Sequence, residues 1–75
     1  MANKTAAQRV AQEVRANMAR RGRTQSDIAT ALGISQTAIS RRLSGSVPWD
    51  VNELELVATA LDVPLADLLP SEVEA

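Results

Sequence analysis

The feature that most restricts the fold of this chain is a pair of short helical patterns near its middle, each opened by a hydroxyl side chain and followed by a glycine. Thr24 and Ser35 stand where an N-cap side chain accepts a hydrogen bond from a free backbone N–H at the start of a helix. Gly33 stands between the patterns, where a residue in the left-handed conformation ends a helix. The pattern therefore predicts two helices, over about 25–32 and about 36–44.

A similar start signal precedes this pair. Thr5 followed by Gln8 has the form of a capping box, in which a hydroxyl and an amide satisfy free N–H groups of the first turn. Apolar residues then recur at the spacing of one helix face as far as Met18, and Gly22 follows. These signals predict a first helix over about 5–21.

The second half of the chain repeats the capping box. Asp50 followed by Glu53 predicts the start of a fourth helix, over about 51–62. Trp49 and Leu54 stand where a hydrophobic staple would fix the entry of the chain into that helix. We therefore expect Trp49, the only aromatic residue, to lie in the core rather than to stack on a nucleic-acid base.

Two prolines divide the end of the chain. Pro64 prevents the fourth helix from continuing, and Pro70 ends a short fifth helix predicted over about 65–69. The tail, 71–75, is expected to fray. The prediction for 1–75 is a single all-α domain, a compact bundle of five short helices.

Composition excludes several kinds of site. The chain has no Cys and no His, which excludes disulfides, thiolate zinc sites and histidine acid–base chemistry. No convergent catalytic set is visible, so we predict no enzyme, no metal, no cofactor and no small-molecule ligand. No apolar run reaches the roughly 18 residues of a membrane span, which favours a soluble, cytoplasmic protein.

The net charge of −1 hides a division of charge along the chain. Residues 1–44 hold all eight basic residues and two acidic ones, a net of +6, whereas residues 45–75 hold seven acidic residues and no basic one. A bound polyanion responds to the field at the face it touches rather than to the total charge. The division favours a polyanion-binding face, because mutual neutralisation alone would not place every basic residue in one half.

Two short helices joined by a tight turn containing glycine form a helix-turn-helix, whose second helix lies in the major groove of DNA. When the apolar residues of the second helix here face inward, polar side chains remain on its outer face. Gln pairs with adenine and Arg with guanine in bidentate fashion, while Thr and Ser make smaller contacts with base edges. The predicted base-reading residues are Gln36, Thr37, Ser40 and Arg41.

The segment RGRTQSDIATALGISQTAISRRLSG, residues 21–45, resembles the phage lambda repressor/Cro-like helix-turn-helix family, in which a Thr-Gln pair opens the second of five helices. The resemblance extends over residues 10–69 and implies a five-helix fold. It also implies a sequence-specific transcriptional regulator of double-stranded DNA, commonly a repressor and commonly a homodimer on a palindromic operator. Such a protein would act in the cytoplasm of a bacterial or phage-infected cell.

The resemblance places Gln25, Arg42 and Ser44 beside DNA phosphates. Basic residues near the loop between the first two predicted helices extend this surface. At position 42, the family more often has an aliphatic residue packed under the second helix, a role that Leu43 takes here. The rotation of the helix is therefore open at this point, and either Arg41 or Arg42 reads bases. The predicted phosphate-contacting residues are Arg21, Arg23, Thr24, Gln25, Ser35, Arg42 and Ser44.

Partners other than DNA are also suggested by the sequence. One recognition helix contacts few base pairs, so a homodimer on half-sites about 34–36 Å apart is favoured on energetic grounds. An alternative function is that of a protein-interaction module such as an antitoxin, in which the acidic second half binds a protein. Antitoxins of this fold also bind DNA, so the two functions can coexist. The possible dimer contact is an apolar strip formed by Val63, Leu65, Leu68 and Leu69.

Overall fold

The computed structural model describes residues 4–70, and the tail predicted to fray lies outside the described residues. A single turn of 3-10 helix, Leu65–Leu68, comes last in this part of the chain. The all-α fold is confirmed. The four α-helices are α1 (Ala6–Arg21), α2 (Gln25–Leu32), α3 (Gln36–Ser44) and α4 (Val51–Leu61).

Side-chain caps define the start of all four α-helices. Thr5, Thr24 and Asp50 each form a reciprocal capping box with the residue three positions later. The Ser35 hydroxyl accepts the Ala38 N–H of α3 at 3.1 Å. Because α2, α3 and α4 contain only 8, 9 and 11 residues, they would be marginal in isolation, and each satisfied N–H helps to fix where a helix begins.

The turn between α2 and α3 is closed by backbone geometry. Gly33 adopts a left-handed φ of 71°, and its N–H donates to the carbonyl oxygens of Ala29 and Thr30. The next N–H, of Ile34, also donates to Ala29. The small Ala29 side chain is buried beneath this turn, which lets α3 approach α2 closely.

One core joins all five elements. α3 packs on α1 and α2, while α4 packs on α2, α1 and the 3-10 turn. Trp49 and Leu54 are both buried in this core, as the hydrophobic staple predicts. The core cluster consists of Val14, Met18, Ile28, Ala29, Ile39, Leu43, Trp49, Leu54, Val57, Ala58, Leu61 and Leu68.

The end of the bundle differs from the prediction in two respects. α4 stops one residue early, because Asp62 adopts a left-handed φ of 58° and its N–H closes the last turn. The predicted fifth α-helix is only a 3-10 turn, because Pro64 offers no side-chain cap and Pro70 disfavours helical geometry at the residue before it. Leu69 is accordingly extended, with φ of −104° and ψ of 143°.

A buried amide fastens the 3-10 turn to α1. The Asn17 side chain is 4% exposed, and its Nδ2 donates to the carbonyl oxygens of Glu13 at 2.9 Å and Asp67 at 3.2 Å. Within residues 4–70, no helix combines the length and the apolar character that crossing a bilayer requires. The same part of the chain brings no three potential metal-ligating side chains together.

Gly45, which follows α3, lies so close to α1 that there is no room for a side chain. Its φ is 85°, and a Cβ there would lie 2.8 Å from Cγ and 3.1 Å from Cα of Gln8 on α1. A Cβ at Gly33 would meet nothing within 4 Å. We expect Gly33→Ala to lower the free energy of unfolding by about 1–2 kcal/mol through left-handed strain alone, and Gly45→Ala to cost at least about 1 kcal/mol more.

Urea denaturation followed by circular dichroism measures both losses on the same scale. Equal losses for the two variants would show that α1 moves aside without cost.

Candidate nucleic-acid interface

α3 is anchored on one face and open on the other. Ile39 is fully buried and Leu43 is 5% exposed, and both belong to the core. The four residues predicted to read bases are all exposed on the opposite side of the helix, and their spacing places them in one stripe along it. We call this stripe the α3 outer face, and it consists of Gln36, Thr37, Ser40 and Arg41.

The two adjacent arginines of α3 have different surroundings. Arg41 is exposed, and within residues 4–70 its guanidinium has no hydrogen-bond or ion-pair partner. The Arg42 guanidinium instead donates from Nε to Glu53 Oε1 at 3.0 Å and from Nη1 to the Ala38 carbonyl oxygen at 3.1 Å. The burial of Ile39 and Leu43 fixes the rotation of α3 that the sequence left open, and it directs Arg41 outward.

A shallow groove runs beside the start of α2, and the structure brings three of the predicted phosphate-contacting residues together there. Arg23, Thr24 and Gln25 line it together with Arg15 and Leu43. Arg15 was missed by the sequence analysis; its Nη1 donates to the carbonyl oxygen of Leu43 at the end of α3. The helical period of α1, which turns Arg15 toward α3 one residue after buried Val14, is the signal that could have identified it.

The three hydroxyl groups predicted to contact phosphates differ in the hydrogen bonds that they already make. Thr24 and Ser35 accept a backbone N–H in their capping roles, which leaves each hydroxyl proton available to donate to an anion. Ser44 already donates its proton to the Arg41 carbonyl oxygen at 2.9 Å, and its oxygen lies 2.8 Å from the Ser46 hydroxyl. Ser44 is therefore held in the turn after α3 by its own hydrogen bonds.

Arg21 lies apart from the groove beside α2. Its Nη2 donates to the Asp62 carbonyl oxygen at 3.2 Å, so the side chain reaches toward the end of α4. It lines a second groove, between α1 and the 3-10 turn, together with Glu13 and Asp67. The basic residues near the loop between α1 and α2 therefore do not all lie in one patch.

The carboxylate of Asp27 completes the cap of α2. It accepts the Thr24 N–H at 2.9 Å, and this hydrogen bond, followed by the interaction with the Thr24 hydroxyl and the nearby charge of Arg23, holds the pKa of the Asp27 carboxyl below its usual value. The charge also suits the positive end of the α2 dipole. Asp27 thereby fixes the end of α2 that faces the groove.

Not every residue of the predicted dimer strip is accessible. Leu68 is fully buried in the core and has no surface to offer a partner, so the structure removes it from the strip. Val63 and Leu65 are half-buried and pack against the core. Leu69 is 45% exposed, and α4 adds two exposed apolar residues that the sequence analysis missed, Val51 at 70% and Leu56 at 49%.

Comparisons with known proteins agree with this architecture. The family model of the BetR domain matches residues 1–75. The clp gene regulator ClgR from C. glutamicum has a similar structure, with a TM-score of 0.82 and 23% identity, covering 88% of this chain and 86% of that chain. The restriction-modification controller protein C.AhdI from Aeromonas hydrophila is also similar, with a TM-score of 0.76 and 21% identity, covering 84% of this chain and 96% of that chain. No curated protein matches the chain significantly.

The Asp27 cap predicts a specific dependence of stability on acid. Because the pKa of Asp27 is lower in the folded than in the unfolded chain, its stabilising contribution is complete above the unfolded pKa and is lost as pH falls through the folded pKa. Asp27→Asn keeps an oxygen for the Thr24 N–H but cannot titrate, so stability should fall less steeply between neutral and acid pH. Urea unfolding at a series of pH values compares the two proteins, and identical slopes would contradict the prediction.

Proposed function

The chain belongs to the BetR-domain family of helix-turn-helix DNA-binding regulators, and we propose that it reads a specific operator sequence by inserting α3 into the major groove. The observation that carries the proposal is the α3 outer face. Its polar side chains share one stripe on a helix whose opposite side is locked into the core by Ile39 and Leu43. A helix held in this way presents the side chains of the α3 outer face in a fixed orientation, which base discrimination requires.

Each reader has a chemical role on this face. Arg41 would contact guanine through O6 and N7, and Gln36 would contact adenine through N6 and N7. The Thr37 methyl would touch a thymine methyl, and the Ser40 hydroxyl would accept or donate at either kind of base edge. Each bidentate pair would discriminate against the wrong base by about 1–3 kcal/mol.

Phosphate contacts would set the register of α3 on the duplex. The groove beside α2 supplies Arg15 and Arg23 as cations, and Gln25 and the Thr24 hydroxyl as neutral donors. Ser35 would donate its hydroxyl proton from the start of α3. Contacts of this kind add affinity for every sequence and make binding sensitive to salt.

The biological role we propose is that of a compact repressor of the phage type, bound as a homodimer to a palindromic operator in the cytoplasm of a bacterial or phage-infected cell. Exposed Leu56 and Leu69 give apolar surface from which a twofold contact can be built. One α3 covers few base pairs, so a second copy about 34–36 Å away would raise affinity to a usable level. The names of the similar regulators, of clp genes and of a restriction-modification system, fit a role in control of transcription.

A second candidate function is the binding of a protein partner, as in an antitoxin. The observation in its favour is the outer side of α4, where the exposed apolar residues Val51 and Leu56 flank the exposed acid Glu55. Such a surface suits a partner that combines apolar and basic groups. It lies on a different helix from the DNA-facing residues, so it is compatible with DNA binding, but it shares Leu56 with the proposed twofold contact.

Selection of bound sites from a pool of random duplexes tests the proposed function. We expect an enriched motif with two inverted half-sites, whose centres lie one helical turn or a multiple of it apart. A single unpaired motif would retain sequence-specific binding but contradict the symmetric dimer. If no duplex is retained at low salt, sequence-specific DNA binding itself is wrong.

Substitutions of two arginines separate base reading from phosphate contact. Arg41→Ala should cost about 1–3 kcal/mol on the selected site and relax the preference at one position of each half-site. Arg23→Ala should weaken binding to all sequences alike and reduce the salt slope by about 1. Titration of both variants against a panel of single-base operator changes gives the comparison, and matching profiles for the two variants would remove Arg41 from the base-reading set.

A further inference from the structure

α3 carries two adjacent arginines, but only one of them is available to a ligand in this structure. Arg41 is exposed, whereas the Arg42 side chain keeps 19% of its surface exposed and is held by Glu53 and by the Ala38 carbonyl oxygen. Position 42 follows Arg41 directly in sequence, but it lies 100° further around the helix and therefore off the α3 outer face. Released from Glu53, the long Arg42 side chain would be free to swing toward a phosphate beside α3 in the proposed complex.

The carboxylate that holds Arg42 is itself held by the cap of α4. Glu53 Oε1 also accepts the N–H of Asp50 at 3.2 Å, and the Glu53 N–H donates to the Asp50 carboxylate at 2.7 Å. Glu53 is also only 19% exposed in its side chain. The Asp50 N–H therefore gives the Glu53 carboxylate an anchor besides Arg42.

This pair spans a gap between two helices that are not otherwise close. No Cα of α3 lies within 8 Å of a Cα of α4. The long side chain of Arg42 crosses that distance and meets an acid with which its charge is neutralised. A half-buried pair with several hydrogen bonds resists exchange with solvent more than a pair on an open surface does.

Withholding a cation has a measurable consequence for DNA binding. Sequence-independent affinity depends on the number of phosphates that lysine and arginine side chains neutralise, and each such contact adds about 0.9 to the slope of log affinity against log salt. A cation paired with a fixed carboxylate adds nothing to that slope.

We propose that Glu53 is a positioning residue that decides which arginine of α3 meets DNA: it keeps Arg42 off the phosphates and leaves Arg41 as the only arginine on the outer face. The proposal rests on the function proposed above, because it requires α3 to lie at the DNA. It assigns a role in DNA binding to a residue of α4 that does not contact DNA.

The test is the salt dependence of binding to a random-sequence duplex. Glu53→Gln removes the negative charge that pairs with Arg42 but retains the capping box, because a glutamine at this position also accepts the Asp50 N–H. The slope should steepen by about 0.9, which is an additional three- to fourfold loss of affinity between 50 and 200 mM salt. Glu55→Gln is the matched control, since it removes the same charge from an exposed position of α4 and should leave the slope unchanged.

Two further variants show whether the effect passes through Arg42. Arg42→Gln in the otherwise unchanged protein should leave the slope as it was, and adding Arg42→Gln to Glu53→Gln should restore the original slope. A purely structural role for the pair would not produce this restoration. Circular dichroism at the same salt concentrations checks that each variant is folded. If Glu53→Gln does not fold, the salt slope of Arg42→Gln still shows whether Arg42 contacts a phosphate in the otherwise unchanged protein.

The proposal is overturned if Arg42→Gln flattens the slope by about 0.9, because Arg42 would then already contact a phosphate. It is also overturned if Glu53→Gln and Glu55→Gln behave alike. Both results differ from a failure of the proposed function, in which the unaltered protein would not bind duplex DNA or would select no motif.

Discussion

The structure depends on the chemical definition of its helix ends. α2 and α3 together contain 17 residues, too few to be stable as isolated helices, and they hold their shape only while docked on α1 and α4. Docking requires each helix to begin and end at a fixed residue, because a shift of one residue turns a helix by 100°. Hydroxyl and carboxylate caps at the starts and left-handed residues at the ends provide that definition. The orientation of the α3 outer face is thus a consequence of hydrogen bonds made several residues away from it.

The same hydrogen bonds tie the candidate interface to the scaffold. Ser35 caps α3 and also stands among the predicted phosphate contacts, and Thr24 does both for α2. A residue that caps through its oxygen lone pair keeps its proton for another acceptor, so one hydroxyl can serve both stability and binding. In the proposed function, stability and recognition share residues at the two helix starts, while the α3 outer face can vary without loss of the fold.

What the sequence predicted, and what it did not, follows from the range of the interactions. The capping boxes and the left-handed Gly33 were predictable because each involves residues within about four positions of one another. The contacts of Arg42 with Glu53 and of Arg15 with Leu43 join residues 11 and 28 positions apart. The helical period of α1 indicates the side on which Arg15 lies, but no local pattern gives the partner of either arginine. The fifth helix was overpredicted because apolar spacing at Leu65 and Leu68 is compatible with either an α-helix or a 3-10 turn. Only the prolines on both sides, and the Asn17 clamp on Asp67, decide between them.

The acidic half of the chain has two separable effects on a protein that binds a polyanion. Glu53 acts at short range, through one hydrogen-bonded pair that is half-buried and little affected by salt. The exposed acids of α4 and its flanks, Asp50, Glu55 and Asp62, act at long range and are screened at physiological salt. Because they repel phosphate wherever they face it, they disfavour the approach of a polyanion to α4 at low salt. A total charge near zero is therefore compatible with DNA binding, since the total is the sum of a basic first half and an acidic second half of the chain.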